Sequence, residues 1–249
     1  MFEWLIQEVF SHLPRQGPGS AACTKRMFGM VPGLPAQPEI LDVGCGSGTQ
    51  TIGLARLAPE ARITAVDIIQ PMLDTLAARA QDAGAEGRIK IVRASMDALP
   101  FPPASFDLIW AEGSIFIIGI ENGLLKWKDL VKPGGYLAFS ELTWFTGTPS
   151  PEARRFFQQV SPLMYTAQET RDLAVGCGYV PCGDFSLPSS AWWDDYYDPM
   201  LQRINELTEQ NRGNTEALAD LSGLLKEIDI YRKYSTEYGY QFFLLKRPE

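Results

Sequence analysis

Ile40-Leu-Asp-Val-Gly-Cys-Gly-Ser-Gly48, running on into Thr49-Gln50-Thr51-Ile52-Gly53-Leu54-Ala55, decides how this chain folds. The apolar residues 40–43 read as a buried strand, the residues from Thr49 onward as a helix, and Gly44, Gly46 and Gly48 as the turn between them. A glycine turn from strand to helix lets a ligand lie against bare backbone, because no Cβ stands in the way. The spacing is selective. A dinucleotide turn places its third glycine at position 49, here Thr49, and no Lys-Ser/Thr pair follows to grip a phosphate. Arg62-Ile-Thr-Ala-Val66 reads as the next strand, and Asp67 stands at its end, 19 residues beyond Gly48. A carboxylate at that offset accepts ribose hydroxyls, so the pattern points to a ligand with a ribose and no gripped pyrophosphate.

Composition narrows the class. The 249 residues, 45% of them hydrophobic, suit one α/β domain with embellishments and can fill a core on both faces of a sheet. A formal charge of −8 argues against a nucleic-acid partner, which needs clustered Lys and Arg. The doublets Arg154-Arg155 and Arg232-Lys233 are isolated and read as solvated helix faces. No apolar stretch is long enough to span a bilayer, and no charged leader precedes an apolar core, which predicts a soluble cytoplasmic protein. Cys23, Cys45, Cys177 and Cys182 share no zinc-type spacing and the one histidine is His12, so reduced thiols and no metal are expected.

Phe2, Leu5, Ile6, Val9, Phe10 and Leu13 share one face at helical spacing, so an amphipathic helix opens the chain and Pro14 ends it. A polar turn, Arg15-Gln-Gly-Pro-Gly-Ser20, leads to a second helix over residues 21–30 and a proline-studded linker. Strands are then predicted at 39–43, 62–66, 88–93, 106–111 and 135–141, alternating with helices centred on Leu54, Leu76 and Leu125. That rhythm is the signature of a parallel sheet with crossover helices. Lys132-Pro-Gly-Gly135 reads as a turn before the fifth strand. Beyond residue 150 the reading is helices at 152–160 and 167–176 and a strand at 179–186. An aromatic stretch, Trp192-Trp193-Asp-Asp-Tyr196-Tyr197, then precedes two helices and a last strand at 240–245.

The glycine loop and Asp67 combine with Ala94-Ser-Met-Asp-Ala-Leu-Pro-Phe101, Phe106-Asp-Leu-Ile-Trp-Ala-Glu112 and Leu130-Val-Lys-Pro-Gly-Gly-Tyr136. Over residues 38–142 this series resembles the class I S-adenosylmethionine-dependent methyltransferases, above all the small-molecule branch typified by ubiquinone/menaquinone-biosynthesis enzymes. The Arg15-to-Ser20 turn and the Trp-rich tail further resemble bacterial methyltransferases of that branch with no assigned substrate. The resemblance implies an α/β fold: a seven-stranded, mostly parallel Rossmann-like sheet, its last strand antiparallel, with N-terminal helices and a helical cap insertion. One domain over 1–249 would comprise an N-terminal lid (1–37), a cofactor-binding core (38–148), acceptor-side helices and cap (149–237) and the last strand (238–249).

The cofactor implied is S-adenosylmethionine. Gly44, Gly46 and Gly48, with Gln50 behind them, would pass under its methionine and ribose, and Asp67 would bind the ribose hydroxyls. Ile68 would pack on adenine, while Asp97, after Met96, would accept from the adenine amine. Ala111 or Glu112 would offer a backbone carbonyl to the ammonium. Asp42 would support that ammonium through water or, equally, cap loop amides; Asp97 is alternatively a turn residue and Ile68 ordinary core. Arg15, in a turn that is either a lid or a plain connection, would pair with the cofactor carboxylate or with Glu112.

Methyl transfer from a sulfonium needs alignment in a dry pocket more than it needs a base. The candidate bases are Glu112, with Tyr196 or Tyr197 behind it, and His12, for which a helix-terminal cation is the competing role. Trp144, Trp193, Tyr196 and Tyr197 suggest an apolar or aromatic acceptor chamber; the same aromatics would also serve as cap core or as a homodimer interface. The segment Ala111-Glu-Gly-Ser114 lacks the Asn-Pro-Pro-Tyr-like motif of adenine-N and glutamine-N methylation, and no acidic set for a magnesium-bound catechol is evident. The reading is therefore a methyltransferase acting on a small, apolar or aromatic molecule. The alternatives are a catalytically silent S-adenosylmethionine-binding protein and, disfavoured by Thr49, a nucleotide-cofactor oxidoreductase.

Overall fold

A computed structural model describes residues 2–161 and 163–249, with the side chains of Phe2 and Glu3 outside the description. The predicted place of Phe2 on the first helix's apolar face therefore lies outside the described residues. The chain opens with α1 (Phe2–Glu8), a 3-10 turn (Phe10–His12) and α2 (Ala21–Met30). The single opening helix expected from the apolar spacing thus breaks in two. From β1 (Glu39–Val43) the alternation holds, with α3 (Thr49–Leu57), β2 (Arg62–Asp67), α4 (Gln70–Asp82), β3 (Ile89–Arg93), β4 (Phe106–Glu112) and α5 (Ile120–Lys128). There follow β5 (Val131–Trp144), α6 (Pro151–Val160), the two-residue β6 (Tyr165–Thr166), α7 (Ala167–Gly176) and β7 (Val180–Ser186). The cap comprises α8 (Ser190–Trp192), a π-helical turn (Trp193–Tyr197), α9 (Asp198–Gln210) and α10 (Thr215–Tyr234), and β8 (Tyr238–Lys246) closes the sheet.

The strands lie in the order β3-β2-β1-β4-β5-β8-β7, with short β6 beside β5 as an eighth. β8 runs antiparallel to both its neighbours, and the pairs from β3 to β5 are parallel. The expected seven-stranded mostly parallel sheet with an antiparallel last strand is present, with β6 added. One local expectation fails. Lys132-Pro-Gly-Gly135 does not precede the fifth strand but lies within it, as a bulge: Phe106 pairs with Val131 and Leu108 with Tyr136. Gly134, at φ +74°, supplies the left-handed residue that lets the strand absorb the extra length.

Alternation on β5 shows how two cores arise from one strand. Tyr136 and Ala138 join a cluster with residues of α2, α3, α4 and the cap, whereas Leu137 and Phe139 join one with α5 and α7. The cap therefore sits on the same face as the N-terminal helices. No described helix is long and apolar enough to cross a membrane.

Candidate functional site

The C-terminal ends of β1, β2 and β4 converge on the glycine loop, as expected where ligands bind in open parallel sheets. Gly44 and Cys45 N–H groups both donate to Val66 O, at 2.8 and 3.0 Å. Asp67 braces the loop. Its Oδ2 accepts from Gly46 N–H at 2.9 Å and its Oδ1 from Ile69 N–H at 3.0 Å. Gly44 and Gly46 have φ of +71° and +52°, and a Cβ would lie 2.5 Å from Ser114 Cβ at the first and 2.7 Å from Gln16 Oε1 at the second. Gly48 is a different case, since a Cβ there would run into Leu76 of α4; it packs two helices and faces no open cradle.

Asp42 is fully buried, and burial pushes its carboxyl up to about 7. Thr51 Oγ1 donates to its Oδ2 at 2.5 Å, and its Oδ1 has no partner. Its bonded partner is thus a side chain of α3, not the loop amides. Gln50 Nε2 reaches back to Cys45 O at 3.1 Å and ties the helix start to the loop.

Residues 14–19 lie across this loop. Gln16 Oε1 accepts from Ser47 N–H and Oγ–H at 3.1 and 2.9 Å, Thr49 Oγ1 donates to Pro14 O at 2.5 Å, and Gly19 N–H donates to Ala191 O of α8 at 2.9 Å. Arg15 pairs with Glu112 at 2.8 Å, their side chains 6% and 5% exposed. Glu112 also receives Thr24 Oγ1 at 2.7 Å and Trp110 Nε1 at 2.9 Å. Three donors therefore occupy Glu112, and an acceptor-facing role would require this segment to move. Arg15 Nε has no partner.

The remaining candidates fall into three groups. Ile68 is exposed, Met96 is half-buried with its Cε against Gly44, and Asp97 is exposed and paired with Lys126 at 2.6 Å. Ala111 is buried in β4. His12 is exposed at the end of its 3-10 turn, its Nδ1 3.0 Å from Ser11 Oγ. Tyr196 and Tyr197 are buried within the one chain and Trp193 is half-buried, packed edge-on to Tyr197, so most of this run is enclosed in the cap and does not present an interface. Trp144 packs on Phe157 and Tyr238 and borders a cleft of about 390 Å³ with Phe145, Thr166, Ser186 and Gln241.

Sequence reasoning passed over Gln16, Ser114, Glu141 and Glu227. Ser114 Oγ donates to Val43 O at 2.8 Å, joining the end of β4 to that of β1. Glu141 accepts from Phe116 N–H at 3.1 Å and Leu142 N–H at 2.8 Å, and burial pushes it up to about 8. An acid inside the apolar run of β5 was the signal available for it. Glu227, half-buried on α10, accepts from Tyr197 Oη at 3.0 Å, and nothing in the helix pattern marked it.

The residues fit S-adenosylmethionine: a glycine cradle with no Cβ, a braced strand-end carboxylate, and orphaned polar atoms on Asp42 and Arg15 beside it. Residues 40–135 match the family model for a methyltransferase domain. The 27-O-demethylrifamycin SV methyltransferase of Amycolatopsis mediterranei is 33% identical over 51% of this chain and 46% of its own length. The trans-aconitate 2-methyltransferase of Streptomyces avermitilis is 38% identical over 45% of this chain and 42% of its own. The chain thus spans about half the length of the curated relatives it matches. In fold it is similar to an S-adenosylmethionine-dependent methyltransferase from Thiobacillus denitrificans solved with S-adenosylhomocysteine, with a TM-score of 0.80 at 17% identity over 98% of this chain and 96% of that one. The stretch from β1 to the bulge of β5 accordingly resembles a methyltransferase domain, and the chain has the Rossmann-like fold of S-adenosylmethionine-dependent methyltransferases.

Proposed function

We propose that this chain is an S-adenosylmethionine-dependent methyltransferase acting on a small, apolar or aromatic molecule. The observation that carries the reading is the junction at residues 112–114. Glu112 holds residues 14–19 through Arg15, Ser114 holds the glycine loop through Val43, and Gly113 lies under Tyr240 of the aromatic cluster. Cofactor loop, lid and aromatic cap meet at one strand end.

Asp67 would bind the ribose hydroxyls, residues 44–47 the methionine end, and Ile68, Met96 and Asp97 the adenine. The carbonyl of Ala111 or Glu112 would take the ammonium, and Arg15 Nε is free for the carboxylate. When bound, the cofactor supplies a methyl group on a sulfonium that departs as a neutral thioether. The chain's own task is then to align the acceptor and exclude water. Residues 14–19 serve as the lid, because they close over the loop and bond to the cap in the same segment. The reading places the protein in the cytoplasm, supported by four unpaired cysteines.

Calorimetric titration with S-adenosylmethionine, with NADH in parallel, followed by transfer of labelled methyl to a panel of phenols, tests this. Saturable binding of the first with labelled product upholds the reading. Binding with no turnover on any acceptor makes the chain a silent sensor or partner subunit. NADH binding in its place overturns it.

A further inference from the structure

Two buried donors where the cap meets β8 have nothing to donate to. Trp192 is 3% exposed and Tyr238 0%, and neither the indole Nε1 of the first nor the hydroxyl of the second has a hydrogen-bond partner. An indole N–H is a donor only, so an apolar setting leaves it desolvated with no return. Both groups belong to one box of rings. Trp192 stacks on Tyr231 at 4.1 Å and meets Tyr240 edge-on at 5.3 Å and Tyr238 at 6.2 Å.

The box reaches the transfer end of the sheet. A Cβ at Gly113 would lie 3.2 Å from the Tyr240 ring, so Tyr240 stands directly against the residue that follows Glu112. The backbone beside it is also irregular. Over Trp193–Tyr197 the helix widens to a π-turn, which brings Trp192 and Tyr197, five residues apart, to 5.6 Å between ring centres. Such widenings weaken a helix and recur where function requires them. The lid is coupled to the same place, because Gly19 N–H is bonded to the carbonyl of Ala191, the residue before Trp192.

The titratable side chains that bear on the box are acids whose burial favours the neutral form. Glu227 is bonded to Tyr197, and Glu141 lies in β5; both raise the Tyr240 hydroxyl, on top of its burial. Neither acid is in an ion pair among the described residues. The cap's cations Arg232 and Lys226 stack on Trp193 and Phe156, not on the box rings. An anion there would be desolvated with no cation among the box rings to pair with.

Resting on the methyltransferase reading, we propose that Trp192, Tyr238 and Tyr240 form the acceptor site. The acceptor is an uncharged aromatic molecule whose carbonyl or phenolic oxygens accept from Trp192 Nε1 and Tyr238 Oη. The rings enclose one another in this closed form, so entry requires the cap to lift, which release of the Gly19–Ala191 bond allows.

The test uses the full chain loaded with S-adenosylhomocysteine and titrated with 2-acetyl-1-naphthol, a neutral bicyclic phenol with a carbonyl, and with 1-naphthoate as the anionic counterpart. Wild type is expected to bind the naphthol and to prefer it to the naphthoate. Tyr238→Phe and Trp192→Phe each loosen the naphthol about tenfold, the loss of one hydrogen bond, and leave S-adenosylhomocysteine affinity unchanged. Tyr238→Phe, which removes an unpaired hydroxyl and keeps the ring, also holds or raises the Tm of the unliganded protein. If Trp192→Phe loses packing and fails to fold, the isosteric Tyr238 variant decides alone. No saturable naphthol binding by wild type, equal binding by Tyr238→Phe, or naphthoate bound as tightly as naphthol each overturn the proposal. Loss of S-adenosylhomocysteine binding by wild type strikes the methyltransferase reading instead, so the two failures are told apart in one titration.

Discussion

Asp67 carries two loads with one carboxylate. Its oxygens brace the Gly46 and Ile69 amides, and each oxygen keeps a second lone pair for a ribose hydroxyl. Charge-assisted hydrogen bonds are each worth about 1.5–3 kcal/mol, so Asp67→Ala is expected to weaken S-adenosylmethionine by about one to two decades in a calorimetric titration. Unchanged affinity would remove the ribose assignment. Asp67 was legible because a strand end and a counted interval locate it without any tertiary contact. Gln16 and Ser114 were not, because their importance comes from atoms that meet them only after folding: Gln16 at Ser47, 31 residues away, and Ser114 at Val43, 71 residues away. Glu141 shows a further consequence of burial. Its folded carboxyl lies near 8 instead of the ordinary 4.5, so between those values the unfolded chain sheds a proton that the folded chain keeps. Stability therefore falls as pH rises through this window, and Asp42, raised to about 7, adds in the same direction. Glu141→Gln is expected to flatten the denaturation free energy between roughly pH 5 and 8, by on the order of a few kcal/mol across the window. A slope unchanged from wild type would show that Glu141 ionises freely in the fold.

Residues 14–19 are held by a buried ion pair whose partners are 97 residues apart. Removing one member of such a pair strands the other, a loss of about 3–5 kcal/mol, whereas removing both is far milder. Arg15→Ala is accordingly expected to raise amide exchange across residues 14–20 and speed release of S-adenosylhomocysteine, and Arg15→Met with Glu112→Gln, which keeps an acceptor for Thr24 and Trp110, to restore most of the protection. Equal exchange in the single variant and wild type would make this segment a plain connection. The turn signals of Arg15-Gln-Gly-Pro-Gly-Ser20 were plain in the sequence; its bed was not, because a turn's composition fixes its backbone and not its neighbour. The reverse error occurred in β5. Lys132-Pro-Gly-Gly135 has the composition of a turn, yet β4 on one side and β8 on the other pair with the strand around it, and the bulge retains it. Strong periodicity, as in β1, β2 and α3, needed no such correction. The aromatic run was read as a segment before helices, and the structure folds it as the π-turn that joins α8 to α9.

Residues 14–19, the cap and the glycine loop are bonded to one another and to one sheet, so a ligand at their junction is expected to stabilise the fold as a unit. A ligand bound only by the folded state adds RT ln(1 + [L]/Kd), about 2.7 kcal/mol at a hundredfold excess over Kd. For a chain of 249 residues that corresponds to a rise in Tm of roughly 5–10 °C. S-adenosylhomocysteine should produce this shift in a single cooperative transition, and NADH at equal concentration should produce none. The shape of the transition carries as much information as its position. If the ligand touched only the core strands, the cap would melt first and at an unchanged temperature, because the cap is tied to the N-terminal segment at two places, Gly19 to Ala191 and Glu8 to Arg203. A single shifted transition therefore requires these ties and the Arg15–Glu112 pair to transmit binding to the cap. Arg15→Ala, at a concentration that saturates it, should split the transition into a cap step near the unliganded temperature and a shifted core step. Retention of one shifted step would mean that cap and core are joined without the Arg15–Glu112 pair.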